Sequence, residues 1–149
     1  MKSVILILVF VIGGLIFFSL NIKKQNEIDK VCLEDLDLQL IGVIDTVYEG
    51  NNYHGYGIIR LKIISSNIKE YDPRSKQEFY FCIIKNGMAE MYDHTPTNLK
   101  QDTLIYNTKL KLSAFLRNGK KEQEGSISVN ANKDYYSYIK RKTIFEQKE

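Results

Sequence analysis

Hydrophobic and polar positions along the chain change period twice, and the changes divide it into three parts. From Val4 to Leu20 no residue is charged, and Gly13, Gly14 and Ser19 are the interruptions in an otherwise apolar run. Lys2 precedes it, and Lys23 and Lys24 follow. At about 1.5 Å of rise per residue, such a run reaches the short end of a bilayer-spanning helix. The exit FFSLNIKKQN has no small-x-small cleavage pattern, and Cys32 follows Lys30 and Val31 rather than a small residue. Neither a cleaved signal nor a lipoprotein signal fits that exit. The pattern predicts a retained single-pass anchor over residues 1–23, meeting the membrane through residues 4–20. Three residues precede the span, so the N-terminus is expected in the cytoplasm and the following domain outside it, in the periplasm.

Residues 24–37 then read as an amphipathic helical stalk, with Ile28, Val31, Cys32 and Leu36 on one face. Beyond Leu36 the period shortens to two. Ile41, Val43 and Val47 share one face of a strand over 39 to 49. Ile59, Leu61 and Ile63 share one face of a second, over 56 to 66, where Arg60 and Lys62 point the other way. NIKEYDPRSKQ, with Pro73, reads as a flexible excursion. EFYFCIIK and MAEMYD flank Asn86–Gly87, a strong hairpin signal because both residues tolerate the positive φ of a type I′ turn. Pro96 breaks the pattern in HTPTNLKQ, and TLIYNTKLKLSAFLR resumes it with Leu110, Leu112, Ala114 and Leu116 on one side. Asn118–Gly119 marks another turn, SISVN a short strand, and DYYSYIKRKTIF reads equally as strand or helix. The sum is a mainly β chain, in which an N-terminal transmembrane helix precedes a small antiparallel β-barrel (OB-like) or sandwich of five to six strands over 38–149.

Composition adjusts this picture in two ways. A chain of 149 residues makes about one domain. Its formal charge of +3 is well short of the concentrated field of a dedicated nucleic-acid binder. Ten tyrosines and no tryptophan suit half-buried sheet surfaces, where an apolar ring carries a polar tip.

GVIDTVYEGNNYHGYGIIRLKI, a hairpin, and then LKQDTLIYNTKLKLSAFLRNG form a pattern of turns and strands. It resembles small, uncharacterised membrane-anchored envelope proteins of Bacteroidota, in which an L-x-x-G-D turn leads into a strand. Here that turn runs from Leu99 to Ile105, with Gln101 before Asp102 at the usual glycine and one residue fewer after Leu99. The resemblance spans residues 40 to 117, implies a tethered OB-like β domain, and brings no activity or catalytic residues.

Candidate chemistry is sparse. Metal centres need several convergent ligands, and this chain has His54, His94, Cys32 and Cys82, with no C-x-x-C or H-x-x-x-H. No metal or cofactor is therefore expected. Glu90, Asp93 and His94 form the one acid/His cluster, at the end of the Asn-Gly hairpin. No Ser or Cys stands in a nucleophile context, and the glycines of EGNNYHGYG lack the spacing of a phosphate loop. These absences point away from an enzyme. Cys32 and Cys82 are a candidate disulfide clamping stalk to barrel, or two buried thiols.

The leading expectation is an extracytoplasmic, membrane-anchored module that binds or scaffolds another envelope component. Its candidate ligand residues are Tyr48, Tyr53, His54, Tyr56 and Arg60, clustered at the first turn. The alternative is a nucleic-acid-binding OB-like face, with the same tyrosines stacking bases and Arg60 and Lys62 meeting phosphates. A basic contact with lipid through Lys140, Arg141 and Lys142 is a third.

Overall fold

The computed structural model describes residues 2–50, 53–95 and 102–146, with side chains from Val9 onward. Seven strands form one antiparallel sheet: β1 (Gln39–Glu49), β2 (Tyr56–Ser66), β3 (Cys82–Lys85), β4 (Met88–His94), β5 (Thr103–Asn107), β6 (Leu112–Arg117) and β7 (Lys120–Ser126), in the order β3-β4-β2-β1-β5-β6-β7. The expected barrel or sandwich of five to six strands is thus corrected to an open sheet. Among the described residues β3 and β7 are its edges, and no closed barrel forms. Helices cover the faces instead of a second sheet. Helix α1 (Lys2–Asp29) runs into a π-helical turn (Lys30–Glu34) that buries Cys32 and Leu33, and α2 (Lys133–Lys142) lies on the opposite face.

Local chemistry explains the ends of these elements. Both Asn-Gly pairs take the positive φ that a tight hairpin needs, at 54° and 74° for Asn86 and Gly87 and 53° and 74° for Asn118 and Gly119. α2 starts at Asn132, whose side chain accepts from the Asp134 N–H, and ends on Lys140, Arg141 and Lys142, favourable charges for a helix C-terminus. The ambiguous C-terminal segment is therefore helical. β7 is the charged KKEQEGS rather than SISVN, and its solvated charges suit an edge strand.

Bulges change which residues face inward. In β1, Leu40 and Ile44 are buried on the inner face, where Ile41 and Val43 were expected. Asp45 is the extra residue opposite Leu61 and Arg60, and it flips the alternation so that Val47 rejoins the inner side. On β6, Ser113 and Phe115 point in, while Leu110 is exposed in the β5–β6 turn that interrupts the expected single strand. The π-turn has a similar effect on the stalk: one wide turn carries Leu33 into the core and leaves Val31 exposed. The Pro73 excursion is held down, because Tyr71 and Ile84 exchange backbone hydrogen bonds of 2.8 Å.

Two cores result. The inner one gathers Cys32, Leu33, Leu40, Ile44, Leu61, Met91, Tyr106 and Phe115, so the sheet wraps round the last turn of the N-terminal helix. The outer one sets Ile58, Tyr80, Ile83 and Tyr92 against Tyr135, Tyr136 and Ile139 of α2 and Phe145 beyond it. β2, β3 and β4 are covered on both faces, which is why IIRL and FCII read as nearly continuous apolar runs.

Among the described residues no helix is long and apolar enough to cross a membrane. The expected transmembrane span over residues 4–20 is not met there. Described side chains begin at Val9, and the apolar run from there to Leu20 rises about 18 Å, short of a hydrocarbon core of about 30 Å.

Candidate functional site

Four of the five candidate ligand residues are used to dock the C-terminal helix. The Tyr53 hydroxyl donates to the Asp134 carbonyl at 3.2 Å, and its ring lies 5.4 Å from Tyr135 and 5.5 Å from Tyr138. Tyr56 shares a 2.7 Å hydrogen bond with the Ser128 hydroxyl and packs on Tyr135 and, at 3.9 Å, on His94. Burial raises its phenol pKa, and the Ser128 bond offsets part of that. In return, the Tyr135 hydroxyl donates to the Gly57 carbonyl at 2.6 Å and that of Tyr138 to the Glu49 carbonyl at 3.3 Å. Such ring pairs are worth about 0.5–1.5 kcal/mol each beyond their area. The aromatic tip of EGNNYHGYG is therefore a seat for α2. Asn51 and Asn52 of that stretch lie outside the described residues, as do Pro96 and Leu99 to Gln101.

Arg60 is the second departure from expectation. It points away from the inner core as the alternation predicts, but α2 covers that face, and the residue is 9% exposed. Arg60 Nε donates to Glu90 Oε1 at 2.8 Å, Nη1 to the Tyr48 hydroxyl at 2.9 Å, and Nη2 to the Lys142 carbonyl at 2.5 Å. Its guanidinium carbon also sits 4.5 Å from the Tyr48 ring centroid. Glu90 is fully buried. It accepts from Arg60 and the Ile144 N–H on one oxygen, and from the Tyr92 and Thr143 hydroxyls on the other. Arg74, held bidentately by Asp72, donates to the Phe145 and Glu146 carbonyls at 3.0 and 2.7 Å. Two arginines thus grip the backbone at the end of α2 and just beyond it. Tyr48, Tyr53 and Tyr56, which are half-buried, and the buried Arg60 each spend their polar groups on partners within the domain.

The acid/His cluster does not converge either. Glu90 lies under α2, whereas Asp93, three residues on, faces the inner side, as strand alternation requires. Asp93 is 4% exposed and accepts from the His94 N–H at 2.7 Å, but its oxygen is 3.8 Å from His94 Nδ1, beyond hydrogen-bond reach. Among the described residues no group of three His, Cys, Asp or Glu side chains could hold a metal ion. Cys32 and Cys82 are free and share the inner core, without a disulfide between them. Cys32 Sγ donates to the Phe79 carbonyl at 3.0 Å. Burial, then the nearby Asp29 charge, pushes its thiol up to about 11, and burial pushes Cys82 further.

Two of the hollows involve the tip end of the sheet. Thr95 donates twice to the Gly55 carbonyl, tying the end of β4 to the β1–β2 turn. Beside it is a cleft of about 280 Å³ lined by Asp93, His94, Thr95, Ser113, Phe115, Gln123, Gly125 and Ser126. The Tyr106 hydroxyl, in the inner core, faces the Asp93 carboxylate and meets no hydrogen-bond partner of good geometry among the described residues. Burial and then the Asp93 carboxylate raise its pKa well above the ordinary phenol value. A second hollow of about 270 Å³ holds His54, exposed at φ 53°, with Gln25, Tyr56 and Ser128 to Ala131. These groups can accept and donate hydrogen bonds to a small polar ligand. Asp93 and Ser113 were missed as pocket residues because the cleft sets the end of β4 against the β6–β7 hairpin, which is neither its neighbour in sequence nor its partner in the sheet. No family model matches the chain, and no curated protein or solved structure matches it.

Proposed function

We propose that the chain is a membrane-attached β-sheet module that binds or scaffolds another component of the cell envelope, with its sheet domain outside the cytoplasm. One observation carries this reading. From Val9 to Leu20 the large apolar side chains of α1 are exposed, Phe10, Leu15, Phe17 and Phe18 by 64–75%, while the end of the same helix is sealed into the core. An amphipathic helix would hide one stripe, whereas this one is apolar on every side and needs an apolar surrounding. Val4 to Leu8 extend the run to seventeen residues in sequence, the lower limit of a span. The envelope setting is the one that the resemblance implies.

The expected outcome is that the full chain floats with liposomes through a sucrose gradient, and a variant with Ile12, Leu15, Ile16 and Phe17 changed to Ser stays at the bottom. Flotation of both variants to the same extent would sink the reading. Protease protection of a C-terminal tag in intact cells tests the sidedness, and full protection by the cytoplasmic membrane would reverse it.

A further inference from the structure

No linker separates the apolar helix from the sheet. α1 is continuous from Lys2 to Asp29, and its last turns are fastened. Gln25 Nε2 donates to the Val129 carbonyl at 2.8 Å, and Asp29 accepts from the Val129 N–H at 2.9 Å. The direction of entry follows from the two ends of this junction. Gln25 shares a hollow with His54 and Ala131, at the β1–β2 tip. At the end of the π-turn Glu34 pairs with Lys111 at 2.9 Å, and beyond it the Leu38 N–H reaches Thr108 at 2.8 Å. Register puts these at opposite ends of the strands, since Gln39 pairs with Asn107 whereas Glu49 pairs with Gly57. The helix therefore crosses the inner face from the tip towards the β5–β6 turn, and its apolar part leaves the domain past the tip.

We infer that the end of the domain formed by the β1–β2 tip and the loop from Ser128 to Asn132 rests on the phospholipid headgroup layer, with the β5–β6 turn facing away. The inference rests on the membrane reading above. Leu20 and Gln25 are separated by about 7.5 Å of helix rise, close to the roughly 5–7 Å thickness of one headgroup layer. Lys23 and Lys24 lie in that interval, where ammonium groups meet lipid phosphates. The Asp93 cleft begins at this end, where Thr95 is tied to Gly55, and runs to Ser113 and Ser126 beside the β5–β6 turn.

Single cysteines test the orientation, because the buried native thiols stay unlabelled in the folded protein. Full-length L15C, H54C, A131C and L110C, each carrying an environment-sensitive fluorophore, are reconstituted into phosphatidylcholine vesicles containing spin-labelled lipid. The label at Leu15 is expected to be quenched by acyl-chain spin labels. Those at His54 and Ala131 are expected to be quenched by headgroup spin labels several-fold more strongly than the label at Leu110. If Leu15 is quenched but His54 and Ala131 respond no more than Leu110, the orientation is overturned while membrane attachment stands. If Leu15 is not quenched, the membrane reading fails and takes the orientation with it.

Discussion

Replacing Glu90 with Gln isolates the charge of a carboxylate that holds the C-terminal segment to the sheet. The amide keeps an oxygen for Arg60 Nε and the Ile144 N–H, and the Tyr92 and Thr143 hydroxyls can rotate to accept from its NH₂. What is lost is the counter-charge of Arg60, a guanidinium with an 11% exposed side chain that cannot be neutralised by deprotonation. Breaking a buried ion pair costs about 3–5 kcal/mol. Arg60 keeps the Lys142 carbonyl, the Tyr48 hydroxyl and the Tyr48 ring, which puts the expected loss at the lower end, about 3 kcal/mol. With a urea m-value of about 1.5 kcal/mol/M, the midpoint falls by about 2 M. Urea unfolding of the full chain in non-ionic detergent, followed by tyrosine near-ultraviolet circular dichroism, reads this directly. An R60L/E90L double variant should recover much of the loss, because it removes both charges together. A midpoint shift below about 0.5 M for E90Q, or a double variant worse than the single, would refute the claim that charge pairing secures the C-terminal segment.

Gly57→Ala should cost about 2–3 kcal/mol in the same assay, because a Cβ there would collide with the Tyr48 carbonyl oxygen and press on the Thr95 methyl. Tyr135→Phe should cost about 1 kcal/mol by leaving the Gly57 carbonyl without its hydroxyl donor. Thiol titration with a maleimide at pH 7 should find no reactive cysteine in the folded protein and both in denaturant, and prompt labelling of Cys82 without denaturant would contradict its burial. Stability should be fully present below the ordinary tyrosine pKa of 10 and be lost as pH rises through 12 and beyond. Burial raises Tyr80 to about 12 and Tyr135 and Tyr136 further, so that the unfolded chain releases those protons first. Phenolate absorbance and circular dichroism should change together in that range, whereas ionisation of all ten tyrosines near pH 10 with the fold intact would contradict it.

The elements that could be read from sequence are those whose signals are local. β1 and β2 occupy the expected residues, and both Asn-Gly turns adopt the dihedrals that their own side chains favour. An Asn or Gly needs no distant partner to tolerate positive φ. The side of each strand that became interior depended on more than alternation. Asp45 shifts the phase of β1 through a bulge that only pairing with β2 creates, and the face bearing Arg60 and Glu90 is interior only because α2, about fifty residues later than Glu90 in the chain, lies over it. The same holds for Tyr48, Tyr53 and Tyr56. Their composition suits a recognition surface and an aromatic helix seat equally, and the distinction rests on where Tyr135 and Tyr138 arrive. The sequence by itself determined the positions of β1 and β2, the Asn-Gly turns and the apolar run at the start. Tertiary structure decided the open sheet, the buried charge pair and the cleft beside Asp93, because burial belongs to pairs of surfaces, and the second surface of each pair comes from elsewhere in the chain.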